Sequence, residues 1–105
     1  YSNQPRRSPH ARIARYEQAV ATAVTEVESS LATLRARRAN RESLAAALAH
    51  TRESLRLVEV RFREGATSFL DVLDAQRRML AVEADLARAQ TALLQDYVAL
   101  NRALG

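Results

Sequence analysis

Cysteine is absent from this sequence, which removes disulfides and thiolate metal sites and leaves the redox compartment open. Two prolines and two glycines are all that interrupt 105 residues, and both prolines fall before residue 10. Gly and Pro punctuate strand-and-turn proteins, so their scarcity excludes a sheet-rich fold. Lys is missing altogether; every one of the 16 basic residues is Arg. Aromatics make up only 5% of the chain, too few to interleave basic residues for stacking on bases. No run of about 18 apolar residues occurs, so no helix here spans a bilayer. Catalytic signatures are missing too: there is no Gly-rich phosphate loop, no HExxH or Cys/His set and no Ser-His-Asp arrangement in a pocket-forming context. The expectation is a protein that is not an enzyme, with no cofactor and no metal.

What remains is rich in Ala, Leu, Arg and Glu at regular apolar spacing, which points to one all-α unit of long helices or coiled coil. The net charge of +4 permits contact with nucleic acid or acidic surfaces and establishes neither. The sequence opens on Tyr1 rather than Met and shows no signal peptide. It is therefore expected to be a piece of a larger protein, which leaves any targeting sequence open.

Residues 1–10, YSNQPRRSPH, carry both prolines and no periodicity, and are expected to be loosely ordered. His10 lies there without a second ligand and reads as a surface histidine. Helix one is expected over 11–64. Ile13, Val20, Val27 and Leu34 recur every seven residues, and the count continues through Arg41, Leu48, Leu55 and Phe62. A second line, Tyr16, Ala23, Ser30, Arg37, Leu44, Thr51 and Val58, completes the a and d positions of a heptad. At 1.5 Å per residue this helix is about 80 Å long, a rod rather than a globular element.

The repeat weakens at Arg35 to Glu42, where Arg37 and Arg41 occupy seam positions. These arginines point several ways around the helix, and Arg38 and Glu42 are spaced as an i,i+4 pair. That favours a solvated stretch of coil over a nucleic-acid patch, and no nucleic-acid partner is expected.

At Gly65 the periodicity stops. Gly is the usual residue just past a helix C-terminus, because it adopts the left-handed conformation freely. Ala66 follows, then Thr67 and Ser68 as candidate N-caps, with Ser68-x-x-Asp71 near capping-box spacing. A turn over 65–67 between long helices demands an antiparallel hairpin, with helix two over 68–105. Its main apolar line is Val72, Met79, Leu86, Leu93 and Leu100. One flank carries Leu73, Leu80, Ala87 and Leu94, the other Ala75, Val82 and Ala89. A face this wide calls for two neighbours. Folding at Gly65 sets Leu48 opposite Glu83 and leaves roughly the first 25 residues of the chain unpartnered, so the hairpin is unfinished.

The one carboxylate pair of interest is Asp71 and Asp74, which point to one side of the first turns of helix two. From spacing alone capping by Asp71 and pairing of Asp74 with Arg78 are the stronger reading. The sharper one is a ring of acids, repeated around an axis, that selects cations.

The tip, RFREGATSFLDVLDAQRRML, and the helix after it, VEADLARAQTALLQDYVALNRALG, resemble the TolC family of outer-membrane efflux proteins of Gram-negative bacteria. An aromatic before Gly, the string L-D-V-L-D-A-Q and a closing A-L-G carry the likeness, and YEQAVATAVTEVESSLATL is similar to the start of the family's last long helix. The resemblance covers residues 16–105. It implies a trimeric tunnel in which an outer-membrane β-barrel, absent from this chain, continues as an α-helical barrel across the periplasm. The chain would then be the C-terminal of two hairpins per protomer, serving as exit duct of a tripartite pump.

By the same resemblance, Phe62, Arg63, Glu64, Gly65, Ala66, Thr67 and Ser68 form the tip where a periplasmic adaptor docks, with an inner-membrane pump as further partner. Asp71 and Asp74 align with the aspartates of the closed constriction, and that alignment alone reverses the reading of this pair. Phe62 stands where the best-known member has Tyr, and Thr67 where it has Arg, so the latch those residues form there is in doubt here. The alternative is a structural coiled-coil hairpin that self-associates or scaffolds partner helices.

Overall fold

A computed structural model describes residues 8–105 as two helices, α1 (Pro9–Arg63, 55 residues) and α2 (Phe69–Leu104, 36 residues), with no strand among the described residues. They pack antiparallel as a rod 94 × 22 × 18 Å. The all-α helical hairpin expected from the sequence is the fold observed.

Helix α1 begins two residues before the heptad reading started it. Ser8, in an extended conformation, accepts a hydrogen bond on its hydroxyl from the Ala11 N–H at 3.1 Å. Pro9 then fits the first helical position, where its missing N–H costs nothing. Pro9 and His10 thus belong to the first turn, whereas the loose order expected of 1–7 lies outside the described residues. No Pro or Gly interrupts the helix from Ala11 to Arg63.

Burial follows the heptad only where α2 runs alongside. Leu34, Leu48 and Leu55, all on the Ile13 line, are buried, whereas Ile13 and Val20 on the same line stay 55% and 45% exposed. The cause is length. At 1.5 Å per residue α1 outruns α2 by roughly 28 Å, and nothing covers the excess. On α2, Val72, Ala89 and Leu93 are buried while Leu80 and Leu94 remain 56% and 65% exposed. Helix α1 therefore takes the main line and the Ala75–Val82–Ala89 flank, and the Leu73–Leu80–Leu94 flank is left largely open. Among the described residues no side chain is fully buried, as expected where two helices meet along a single seam.

Two ion pairs cross the seam, each with its Arg on α1 and its acid on α2. Arg37 Nε donates to Asp96 Oδ2 at 3.0 Å, and Arg52 Nη2 approaches Glu83 Oε1 at 3.4 Å. Glu83 thus meets Arg52, one helical turn beyond Leu48, because a guanidinium on its long stem reaches an acid that leucine cannot pair. The Arg38–Glu42 pair suggested by spacing is absent among the described residues; it is Arg37 that finds a carboxylate, on the other helix.

Candidate functional site at the hairpin tip

The turn is built by backbone hydrogen bonds that use the last carbonyls of α1. The Gly65 N–H donates to the Phe62 carbonyl at 3.0 Å, and the Ala66 N–H donates to the Arg61 carbonyl at 2.8 Å. This 5→2 and 6→1 pair is a complete Schellman motif, with Glu64 as C-cap and Gly65 at C′. Gly65 has φ +76°, and a Cβ built there would meet nothing within 4 Å. Glycine is required here for its backbone conformation, not for space. Phe62 and Phe69 then close the tip from the two helices, their ring centroids 5.5 Å apart and tilted 51°. Separations of this size suit tilted aromatic pairs.

Helix α2 starts differently from the expected capping box. Ser68 has the extended N-cap backbone, and its carbonyl accepts from the Asp71 N–H at 3.2 Å, but its side chain makes no capping bond. It is the Thr67 hydroxyl that donates to the Asp71 carboxylate. The side chain expected to reach back to the cap is thereby held by the residue before it. Asp71 is the one acid in the first turn of α2, where the helix dipole favours negative charge.

One turn on, Arg78 Nη2 binds Asp74 Oδ2 at 2.8 Å. Asp71, Asp74 and Arg78 all line a groove of about 420 Å³ between the helices, walled on the other side by Ser54, Val58 and Arg61 of α1. The structure therefore brings the two aspartates to one surface, with Thr67 at the groove's end. It leaves Arg63, Glu64 and Ser68 exposed on the outer turn, away from the groove.

Arg61, a basic residue in the last turn of α1, also lines this groove, a placement that no motif in the sequence signals. Counting outward from the turn would have found it, because Arg61 and Asp71 are nearly equidistant from Gly65–Ala66, as are Phe62 and Phe69.

The chemistry available is electrostatic. Two carboxylates and two guanidiniums face one groove, with no nucleophile–base pair among them. Among the described residues no three His, Cys, Asp or Glu side chains are grouped to hold a metal ion. Among the same residues no helix is long and apolar enough to cross a membrane.

A family model described as outer membrane efflux protein matches residues 2–105. The chain is 39% identical over 85 residues to nodulation protein T of Rhizobium leguminosarum bv. viciae, covering 81% of this chain and 18% of that protein. It is 32% identical over 91 residues to nodulation protein T of R. leguminosarum bv. trifolii, covering 87% and 20%. It is 33% identical over 90 residues to the pyoverdine export outer membrane protein OpmQ of Pseudomonas putida, covering 86% and 19%. The chain thus spans about a fifth of the length of the curated relatives it matches. No solved structure matches it significantly.

Proposed function

Because the chain belongs to the outer membrane efflux protein family, we propose that it is the periplasmic hairpin of a homotrimeric outer-membrane efflux channel, gated at its tip. The observation that carries this reading is the tip itself. A Gly65 Schellman turn leads directly into a helix whose first turns set Asp71 and Asp74 on one groove. This lies within the stretch that matches the family.

In this reading α1 and α2 are two staves of a barrel standing in the periplasm, and the open Leu73–Leu80–Leu94 flank of α2 meets the next stave. Three copies of Asp71 and Asp74 would surround the axis at the closed end, where rings of carboxylates favour cations and slow anions. The outer turn from Phe62 to Ser68 would be the surface an adaptor protein grips, with an inner-membrane pump behind it. Engagement there would draw the N-terminus of α2 outward and separate the aspartates. The role is that of a passive duct, and no step of catalysis belongs to it.

Conductance of the full-length protein in planar bilayers tests this reading. Wild type should give a small cation-selective conductance, and the Asp71→Ala/Asp74→Ala double variant should lose much of that selectivity. Well-folded protein without conductance, or selectivity untouched by the double variant, would sink it.

A second reading is favoured by one observation. The isolated hairpin exposes Ile13, Tyr16 and Val20 on the part of α1 that α2 does not reach, and Leu80 and Leu94 on the open flank of α2, apolar surface that a further helix could cover. As a separate piece the chain would then self-associate as a coiled coil whether or not its parent forms a channel.

A further inference from the structure

Asp71 and Asp74 share a groove but do not present the same charge. Asp74 is held by Arg78 at 2.8 Å, an ion pair between two oppositely charged groups. Asp71 is held by the Thr67 hydroxyl, a neutral donor, and among the described residues no cation lies within ion-pairing distance of it. The second cation on the groove, Arg61, lines it from α1 without pairing to either acid.

An exposed ion pair adds little to stability, since its Coulomb gain in water is small and two long side chains must be held still. Its effect on a third charge is larger. A carboxylate with a guanidinium against it acts as a short dipole, and a dipole's potential falls off much faster than that of a lone charge. An ion passing within the Debye length, about 8 Å at physiological salt, therefore meets Asp71 as a charge and Asp74 as a nearly cancelled one.

We infer that Arg78 is a selectivity-determining residue: it neutralises Asp74 at the tip and leaves Asp71 as the carboxylate that a passing cation meets. This rests on the tip's being a pore constriction, as proposed above. Three protomers would then contribute three effective charges from their six aspartates, and a substitution at position 78 would retune the ring without touching an acid. The Arg78 side chain is 75% exposed, so its replacement removes charge without opening a core.

The test is reversal potential in a salt gradient across a planar bilayer, using the full-length protein. Wild type is compared with Asp71→Asn, Asp74→Asn, Arg78→Gln and Arg61→Gln, and block by a trivalent cation is titrated on each. Arg78→Gln should raise the cation-to-anion permeability ratio by up to about tenfold for each guanidinium removed, because one unit charge roughly 6 Å from an ion in water changes a cation's occupancy about threefold and an anion's about threefold in the opposite sense. It should tighten trivalent block as well. Asp71→Asn should lower the ratio more than Asp74→Asn does, and adding Arg78→Gln should bring the two aspartate losses level. Arg61→Gln should change the ratio less than Arg78→Gln.

If Arg78→Gln leaves ratio and block unchanged while Asp71→Asn lowers both, the role of Arg78 is overturned and the constriction stands. If neither aspartate variant moves either readout, the constriction falls and the inference with it.

Discussion

Arg56 clasps Glu53 with two hydrogen bonds, from Nε at 3.0 Å and from Nη2 at 2.6 Å, one turn apart on the open face of α1. These bonds, with the charge on Arg56 adding to them, hold the Glu53 carboxyl below its ordinary pKa of 4.5. The sign follows from linkage. A carboxyl that is more acidic folded than unfolded contributes stability above its unfolded pKa, and loses it as pH falls through the folded value. With both side chains more than half exposed, that contribution is small. An NMR titration of the hairpin should find Glu53 below the ordinary glutamate midpoint, and Arg56→Gln should move it back up. An unshifted midpoint in the parent chain would show that the clasp does not persist in solution.

Gly65 concentrates the turn's conformational demand in one residue. Gly65→Ala forces a Cβ into φ +76° with open space around it, so the penalty is backbone strain alone. Placing an L-residue in the left-handed region costs roughly 1–2 kcal/mol. Gly65→Asn should cost less, since Asn tolerates that conformation. Thermal unfolding of the hairpin checks the order Gly, Asn, Ala; an Ala variant as stable as the parent would contradict the Schellman geometry.

Leu55 and Leu80 are the same residue type in opposite circumstances, one 9% and the other 56% exposed. Leu55→Ala should destabilise the isolated hairpin by about 2–3 kcal/mol, near the low end for buried leucine because the seam is thin. Leu80→Ala should lie within about 0.5 kcal/mol of the parent, as surface changes do. In the full-length protein the second variant should instead weaken the proposed assembly, measured as the oligomer fraction in detergent. If Leu80→Ala unfolds the hairpin, or leaves assembly intact, the α2 flank is not the free surface described here.

The hairpin was legible because its decisive residues are of kinds that carry one meaning. Gly65 is the one glycine inside the chain, and it falls where the heptad run of α1 stops. The Ile13–Leu55 line named three residues that prove to be buried, since a period of seven maps directly onto one face of a helix. Less legible was anything that depends on which of two neighbouring polar groups wins a partner. Thr67 and Ser68 are chemically near-identical as caps, and only the backbone path decides that Thr67 takes the Asp71 carboxylate. Arg37 and Arg38 likewise compete for acids; the heptad puts Arg37 on the seam, but its partner Asp96 follows only from the register of α2 against α1. Of the tip, the shared side of Asp71 and Asp74 follows from i,i+3 spacing. The presence of Arg61 there needed the register of the two helices.

Helix α1 carries no break from Ala11 to Arg63, and so it behaves as a stiff arm. A tilt of about 5° at its far end would sweep the tip through ~7 Å over the length of 55 helical residues. Mechanical leverage of this kind needs no hinge at the tip itself. A modest rotation imposed on the uncovered N-terminal third of the arm would be enough to part or close whatever stands around Asp71.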